Sequence, residues 1–270
     1  MPDLSTLLAP RKKLLLVGAG KMGSALLNGW LAAGLPPQQV SVVEPNPSAE
    51  LASLGVDINP SATPHAIIVL AVKPQLIDEV LPSLAPFVAG DSVVLSLMAG
   101  VRLARLQSAC AGAATYIRTM PNTPAAIGCG VTALYCDVAA DAARQSGDSL
   151  MQSVGATVWV DNEDLMDAVT ALSGSGPAYV FHLVEAMAQA GEGLGLPPEI
   201  AVQLARQTVA GAGAMLATSP ESAAQLRENV TSKGGTTAAG LAVLMHEKSG
   251  LTALMRHVLT AARDRSQELG

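Results

Sequence analysis

Residues 226–241 read LRENVTSKGGTTAAGL, and this stretch concentrates the groups best suited to hold an anion. Ser232, Gly234, Gly235, Thr236 and Thr237 can all bring backbone N–H groups close to a bound carboxylate, because glycine lets the main chain approach and no bulky side chain intervenes. The residues from Thr237 onward read as a helix, whose positive N-terminal end adds to the attraction. Thr236 or Thr237 is the natural N-cap. A plain joint between two helices, with glycine as a stop signal, has the same composition. The rest of the chain decides between these readings.

A second chemical centre is the run LLLVGAGKMG ending at Gly23. A strand-like apolar segment, 14–17, passes into G-x-G-x-x-G, and 24–33 follows with apolar residues at helical spacing. Gly18 allows the tight turn, Gly20 lets a pyrophosphate approach, and Gly23 lets helix pack against strand. The turn Gly18-Ala19-Gly20-Lys21-Met22-Gly23 is thus the expected seat of a dinucleotide. A second strand-like run, 40–43, ends at Glu44, 21 residues after Gly23, where an acid can accept from the adenosine ribose. No Lys or Arg lies between Glu44 and Leu54 to welcome a 2′-phosphate, so Glu44 favours NADH over NADPH. An acid merely solvated at a strand end would look the same.

Two further segments follow strand-like runs. Leu70 to Pro74 reads LAVKP at the expected C-terminal end of a parallel strand, which places Ala71, Val72, Lys73 and Pro74 toward the ligand crevice of an open α/β sheet. Lys73 is either a phosphate contact or catalytic cation, or a lysine laying its stem along a helix start. The run RTMPNTPAAIG begins at Arg118, and there Asn122 and Thr123 can meet a nicotinamide amide or satisfy the turn.

The elements that would position these groups alternate as far as about Asp161. Helices are expected at 48–54, 75–87, 103–109 and 140–154, and strands at 66–72, 92–97, 115–118, 131–135 and 157–160. This is the β-α-β order of a doubly wound sheet. From Asn162 the strand signal fades and Ala-, Leu- and Met-rich helical periods run to the end. The expected division is therefore 1–161 and 162–270, with 1–10 a loose tail. Gly174-Ser175-Gly176-Pro177 should interrupt or kink the first helix of the second part, and 195–198 should end it.

Composition narrows the functional classes. The 270 residues are 50% hydrophobic and only 3% aromatic, which suits closely packed helices better than a base-stacking surface. The net charge of −6 and the absence of a basic run longer than Arg11-Lys12-Lys13 speak against nucleic-acid or anionic-membrane partners. Cys110, Cys129 and Cys136 lack metal-type spacing and read as reduced thiols in a cytoplasmic protein. Residues 1–10 lack the pattern of a signal peptide, and apolar runs such as 66–72 are too short to span a bilayer. No metal site is expected, since there is no HExxH or clustered His/Cys/Asp set, and no GxSxG nucleophile motif.

In this order, GAGKMG, AVKP, MPNTPA, LSGSGPAY (172–179) and SKGGTT closely resemble pyrroline-5-carboxylate reductase, over nearly the whole chain. The resemblance implies an α/β fold: an N-terminal Rossmann-type doubly wound sheet followed by an all-helical dimerisation domain. It implies reduction of the cyclic imine 1-pyrroline-5-carboxylate to L-proline by NADPH or NADH, with an active site shared across a homodimer whose dimers can assemble further. By the same resemblance Ser175 and the 232–237 loop bind the imino acid, and Thr237 sets its hydroxyl on the ring nitrogen. Thr237 then donates or relays the proton, or orients an already protonated imine. Hydroxyacid dehydrogenases of related two-domain plan use a lysine after their substrate-domain glycines, and 174–185 contains none. A dinucleotide-sensing protein without turnover would have no need of an intact SKGGTT loop.

Overall fold

The computed structural model describes residues 2–9 and 11–269, without the side chain of Ala109. It divides into two compact units, one of residues 1–175 with 262–270 and the other of 176–261. Residues 162–175, expected with the helical part, fall in the first unit.

The first unit is built on eight strands: β1 (Leu14–Val17), β2 (Val40–Val43), β3 (Asp57–Ile58), β4 (Ile67–Leu70), β5 (Val93–Ser96), β6 (Thr115–Met120), β7 (Gly130–Tyr135) and β8 (Gly155–Trp159). They lie in the order β3-β2-β1-β4-β5-β6-β7-β8. The first six pair in parallel, so the chain order reverses between β1 and β4, which creates the crevice where such sheets bind ligands. β7 runs antiparallel to β6 because only residues 121–129 connect them, too few for a crossover helix. β8 is parallel to β7.

The central strands are apolar along their length because both faces are covered. Alternate residues feed two cores. Leu14, Leu16, Ile67 and Val69 pack with Leu26, Leu27 and Trp30 of helix α1 (Lys21–Ala32) and with Leu150 and Met151 of α5 (Asp141–Gln152). Leu15, Val17, Ile68 and Leu70 pack on the other side with Ile77 and Leu81 of α3 (Ile77–Ser83) and Leu103 and Leu106 of α4 (Leu103–Ala109). The Trp30 indole N–H donates to the Leu150 carbonyl at 3.1 Å and ties α1 to α5.

Several local expectations are sharpened. Helix α2 (Ala49–Ser53) begins where Ser48 accepts from the Leu51 N–H at 3.1 Å. The helix expected over 75–87 is instead α3 between two 3₁₀ turns, Pro74–Leu76 and Ala85–Phe87, because Pro82 and Pro86 lack the N–H that would carry it on. The tail is corrected too. Leu4 is fully buried, its N–H donates to the Ala33 carbonyl at 2.8 Å, and Leu8 joins the same core, so the tail is anchored at these two leucines rather than loose. Met1 and Pro10 of that tail lie outside the described residues.

Beyond the sheet, α6 (Leu165–Val169) runs into a widened π turn, Thr170–Gly174, where the Ser175 N–H donates to the Thr170 carbonyl at 2.9 Å. The interruption expected at this GSGP segment is present, and π turns of this kind recur at functional sites. The second unit holds α7 (Gly176–Gly193), α8 (Pro198–Thr218), α9 (Ala223–Asn229), α10 (Thr236–Leu244) and most of α11 (Leu251–Leu269). Its small core is Ala188 of α7 with Ala201 and Ala205 of α8. No helix among the described residues is long and apolar enough to cross a membrane.

Candidate active site

The turn after β1 has the shape its glycines demand. Gly18 sits at φ 92° and donates to the Val43 carbonyl, a backbone conformation that other residues rarely adopt. A Cβ on Gly23 would overlap the Gly18 carbonyl, whereas one on Gly20 would meet nothing within 4 Å. Gly20 is also the N-cap of α1 and offers no side chain, so the first-turn N–H groups of Lys21, Met22 and Gly23 have no helical acceptor. An open approach and free donors at a helix N-terminus fit a pyrophosphate.

Facing that turn is a cavity of about 220 Å³ lined by Met22, Ala71, Val72, Lys73, Leu97, Met120 and Pro121. It gathers the ends of β4, β5 and β6 on the same edge of the sheet. Lys73 is exposed and Pro74 opens the next 3₁₀ turn. Met120 and Pro121 belong to the MPNTPA motif, whereas Leu97 lies outside every motif of the sequence, and its place just after β5 is the signal that points to it. Asn122 is buried, and its Oδ1 accepts from the Val131 N–H at 2.9 Å, which closes the connection from β6 to β7. Gly174 lies against Met120, so the π turn before Ser175 borders the residue that lines the cavity.

Glu44 also meets the glycine turn. Its Oε2 accepts from the Ala19 N–H at 2.8 Å. Behind it, the Asn59 side chain sits on the backbone of Glu44.

In the second unit, the 232–237 loop is a tight turn. Gly235 donates to the Ser232 carbonyl at 3.1 Å, and Gly234 stands at φ 74°. The N-cap is Gly235, which corrects the expectation of Thr236 or Thr237: the glycine turn delivers the chain into helical geometry one residue earlier. The N–H groups of Thr236, Thr237 and Ala238 have no helical acceptor and no capping side chain to serve, and both threonines are exposed. The arrangement therefore presents three donors and two hydroxyls beside the positive end of α10.

Two of the three thiols are held out of nucleophilic chemistry by burial, and Cys129 is exposed. Cys110, Cys129 and Cys136 are free, and burial pushes the Cys110 and Cys136 thiols up, away from the thiolate form. A larger recess of about 330 Å³, lined in part by Cys136, Arg144 and Trp159, lies past the C-terminal end of β7. Because β7 is antiparallel, that end points away from the crevice.

Known proteins resemble the chain along its whole length. A family model described as pyrroline-5-carboxylate reductase dimerisation matches residues 163–269, and one for coenzyme F420-dependent NADP oxidoreductase matches 13–100. The pyrroline-5-carboxylate reductase of Pseudomonas aeruginosa is 38% identical over 265 residues, covering 95% of this chain and 96% of its own. That of Synechocystis is 40% identical, covering 94% and 97%. Among solved structures, the Coxiella burnetii pyrroline-5-carboxylate reductase superposes with a TM-score of 0.85 at 34% identity, over 96% of this chain and 98% of that one. The Plasmodium falciparum pyrroline carboxylate reductase with NADP bound gives 0.80 at 29% identity, with the same coverage.

Proposed function

The chain belongs to the pyrroline-5-carboxylate reductase family, and from that premise we propose that it reduces 1-pyrroline-5-carboxylate to L-proline, the last step of proline biosynthesis. The observation that carries the reading is the pairing, in one chain of matching length, of the open glycine turn 18–23 with the donor-rich turn 232–237. When bound, NAD(P)H supplies the hydride that the imine carbon must accept. The chain has to orient the ring, hold the carboxylate and see that the nitrogen gains a proton; no activated nucleophile is needed.

Gly18, Ala19, Gly20, Lys21, Met22 and Gly23 hold the dinucleotide, with Ala71, Val72, Lys73, Pro74 and Asn122 along the crevice. Ser232, Gly234 and Thr236 offer donors to the substrate carboxylate, Gly235 lets the chain approach it while its own N–H stays on the Ser232 carbonyl, Ser175 contributes a hydroxyl, and Thr237 meets the ring nitrogen. As a weak acid, Thr237 either passes on a proton or orients an iminium that arrives protonated. By function the division is a dinucleotide-binding part, 1–161, and a helical dimerisation and substrate part, 162–270, whose residues 162–175 and 262–270 pack in the first compact unit. The enzyme works in the cytoplasm as a homodimer through its C-terminal helices, from which larger assemblies can form.

The test is NAD(P)H consumption with the cyclic imine, followed by kinetics with both cofactors. Glu44 predicts comparable use or a lean to NADH. An NADPH preference above about tenfold, roughly 1.4 kcal/mol, would show that Glu44 does not face the ribose. No turnover of the imine with either cofactor would refute the reading itself.

A further inference from the structure

The carboxylate of Glu44 is held from two sides. Its Oε2 accepts from the Ala19 N–H at 2.8 Å and its Oε1 from the Asn46 N–H at 3.1 Å. Its backbone is held as well, and by one residue. Asn59 Oδ1 accepts from the Glu44 N–H at 3.0 Å, and Asn59 Nδ2 donates to the Glu44 carbonyl at 3.0 Å. The Asn59 N–H donates to the Val42 carbonyl at 2.8 Å. The two-residue strand β3 has ended at this point, and the Asn59 carboxamide stands in for the peptide that would have continued the ladder.

Asn59 reaches this position at φ 50°, in the left-handed region that asparagine tolerates better than most residues. Pro60 follows, and a proline disfavours helical geometry in the residue before it. Such a conformation persists where its surroundings over-determine it, and three hydrogen bonds to the end of β2 do so here.

The geometry points to Asn59 as a positioning residue for dinucleotide choice, an inference that rests on the dinucleotide reading above. By clamping the peptide of Glu44, it keeps the carboxylate on the glycine turn, where the ribose 2′-oxygen arrives. A 2′-hydroxyl can donate to that carboxylate. A 2′-phosphate brings about two negative charges to the same place, and residues 45–54 offer no cation to offset them. With the clamp removed, Glu44 can swing aside and the penalty on the phosphate falls.

The test measures NADH and NADPH affinity separately, by fluorescence titration without the imine, in wild type, Asn59→Gly, Glu44→Gln and the double variant. Asn59→Gly accepts the same backbone while deleting both side-chain bonds. The ratio of the NADPH to the NADH dissociation constant should fall about fivefold in each single variant, the worth of one lost net hydrogen bond, and no further in the double. A ratio within about twofold of wild type in Asn59→Gly, or additive effects in the double variant, overturns the proposal. Should Asn59→Gly not fold, Asn59→Ala deletes both side-chain bonds without adding a charge, and an unchanged ratio there has the same meaning. Wild-type protein that binds neither dinucleotide would instead defeat the dinucleotide reading, and the proposal with it.

Discussion

Arg118 in the middle of β6 donates to Glu163 Oε1 at 3.0 Å, joining two residues 45 apart whose side chains are 4% and 14% exposed. The same oxygen accepts from the Leu103 N–H at 2.7 Å, and so also caps α4. Arg118 Nη2 is buried without a partner among the described residues, which leaves Glu163 as the counter-charge on which this guanidinium depends. Breaking a buried pair on one side strands the other charge, at a cost of about 3–5 kcal/mol. Glu163→Ala should therefore lower unfolding stability by about that much, and Glu163→Gln by less, because it keeps an acceptor for Leu103. Urea denaturation followed by the fluorescence of Trp30 and Trp159 measures both.

The glycine turn separates folding from binding. Gly23→Ala forces a methyl into the Gly18 carbonyl and should cost about 1–3 kcal/mol of stability along with cofactor affinity. Gly20→Ala meets no neighbour, so its melting temperature should stay near wild type while NAD(P)H binding weakens at least about tenfold, a step of 1.4 kcal/mol. Equal losses of melting temperature in the two variants would contradict this division.

Thr237→Ala distinguishes the possible roles of the hydroxyl. The backbone donors of the 232–237 turn survive the substitution, so binding should persist and the loss should fall on kcat. Removing one hydrogen bond to a charging nitrogen predicts a fall of about tenfold to a hundredfold with KM for the imine nearly unchanged. A raised KM with kcat preserved would assign Thr237 to ring binding alone.

His65 makes stability depend on pH. Burial lowers its pKa from 6.5, and the nearby Lys13 lowers it further, against opposing effects of the Thr63 carbonyl and Asp57. Nδ1 lies 2.7 Å from the Thr63 carbonyl and Nε2 is buried without a partner among the described residues, so the ring is neutral in the fold. The unfolded chain takes up a proton near pH 6.5 and the folded chain only below that. Stability is then complete above about pH 6.5 and declines as pH falls toward the lowered folded value. His65→Gln should flatten this slope in denaturation midpoints compared at pH 7.5 and 5.5.

The second unit exposes more apolar surface than its alanine core uses. Val243 is 73% exposed, Leu244 51% and Leu254 57%. Helix α10 carries no charged residue, and after its two N-terminal threonines it is apolar all round, a pattern that requires cover. Val243→Asp should shift sedimentation from dimer toward monomer and reduce activity with it. A wild-type protein that sediments as a fully active monomer would rule out the dimer.

The sequence by itself determined the parts whose causes are local. The alternation of apolar strands with helical periods, the spacing from Gly18 to Gly23, the acid at the end of β2 and the glycine turn before α10 all depend on residues within one turn or strand of each other. Periodicity and glycine stereochemistry therefore expose them in one dimension. Only the tertiary structure decided that β7 reverses, that Leu4 returns to the core beside Ala33, that Arg118 finds Glu163, and that Asn59 completes the edge of β2 behind Glu44. Each of these joins segments distant in the chain, and what selects the pairing is burial and hydrogen-bond satisfaction in three dimensions. Residue spacing carries no trace of that choice.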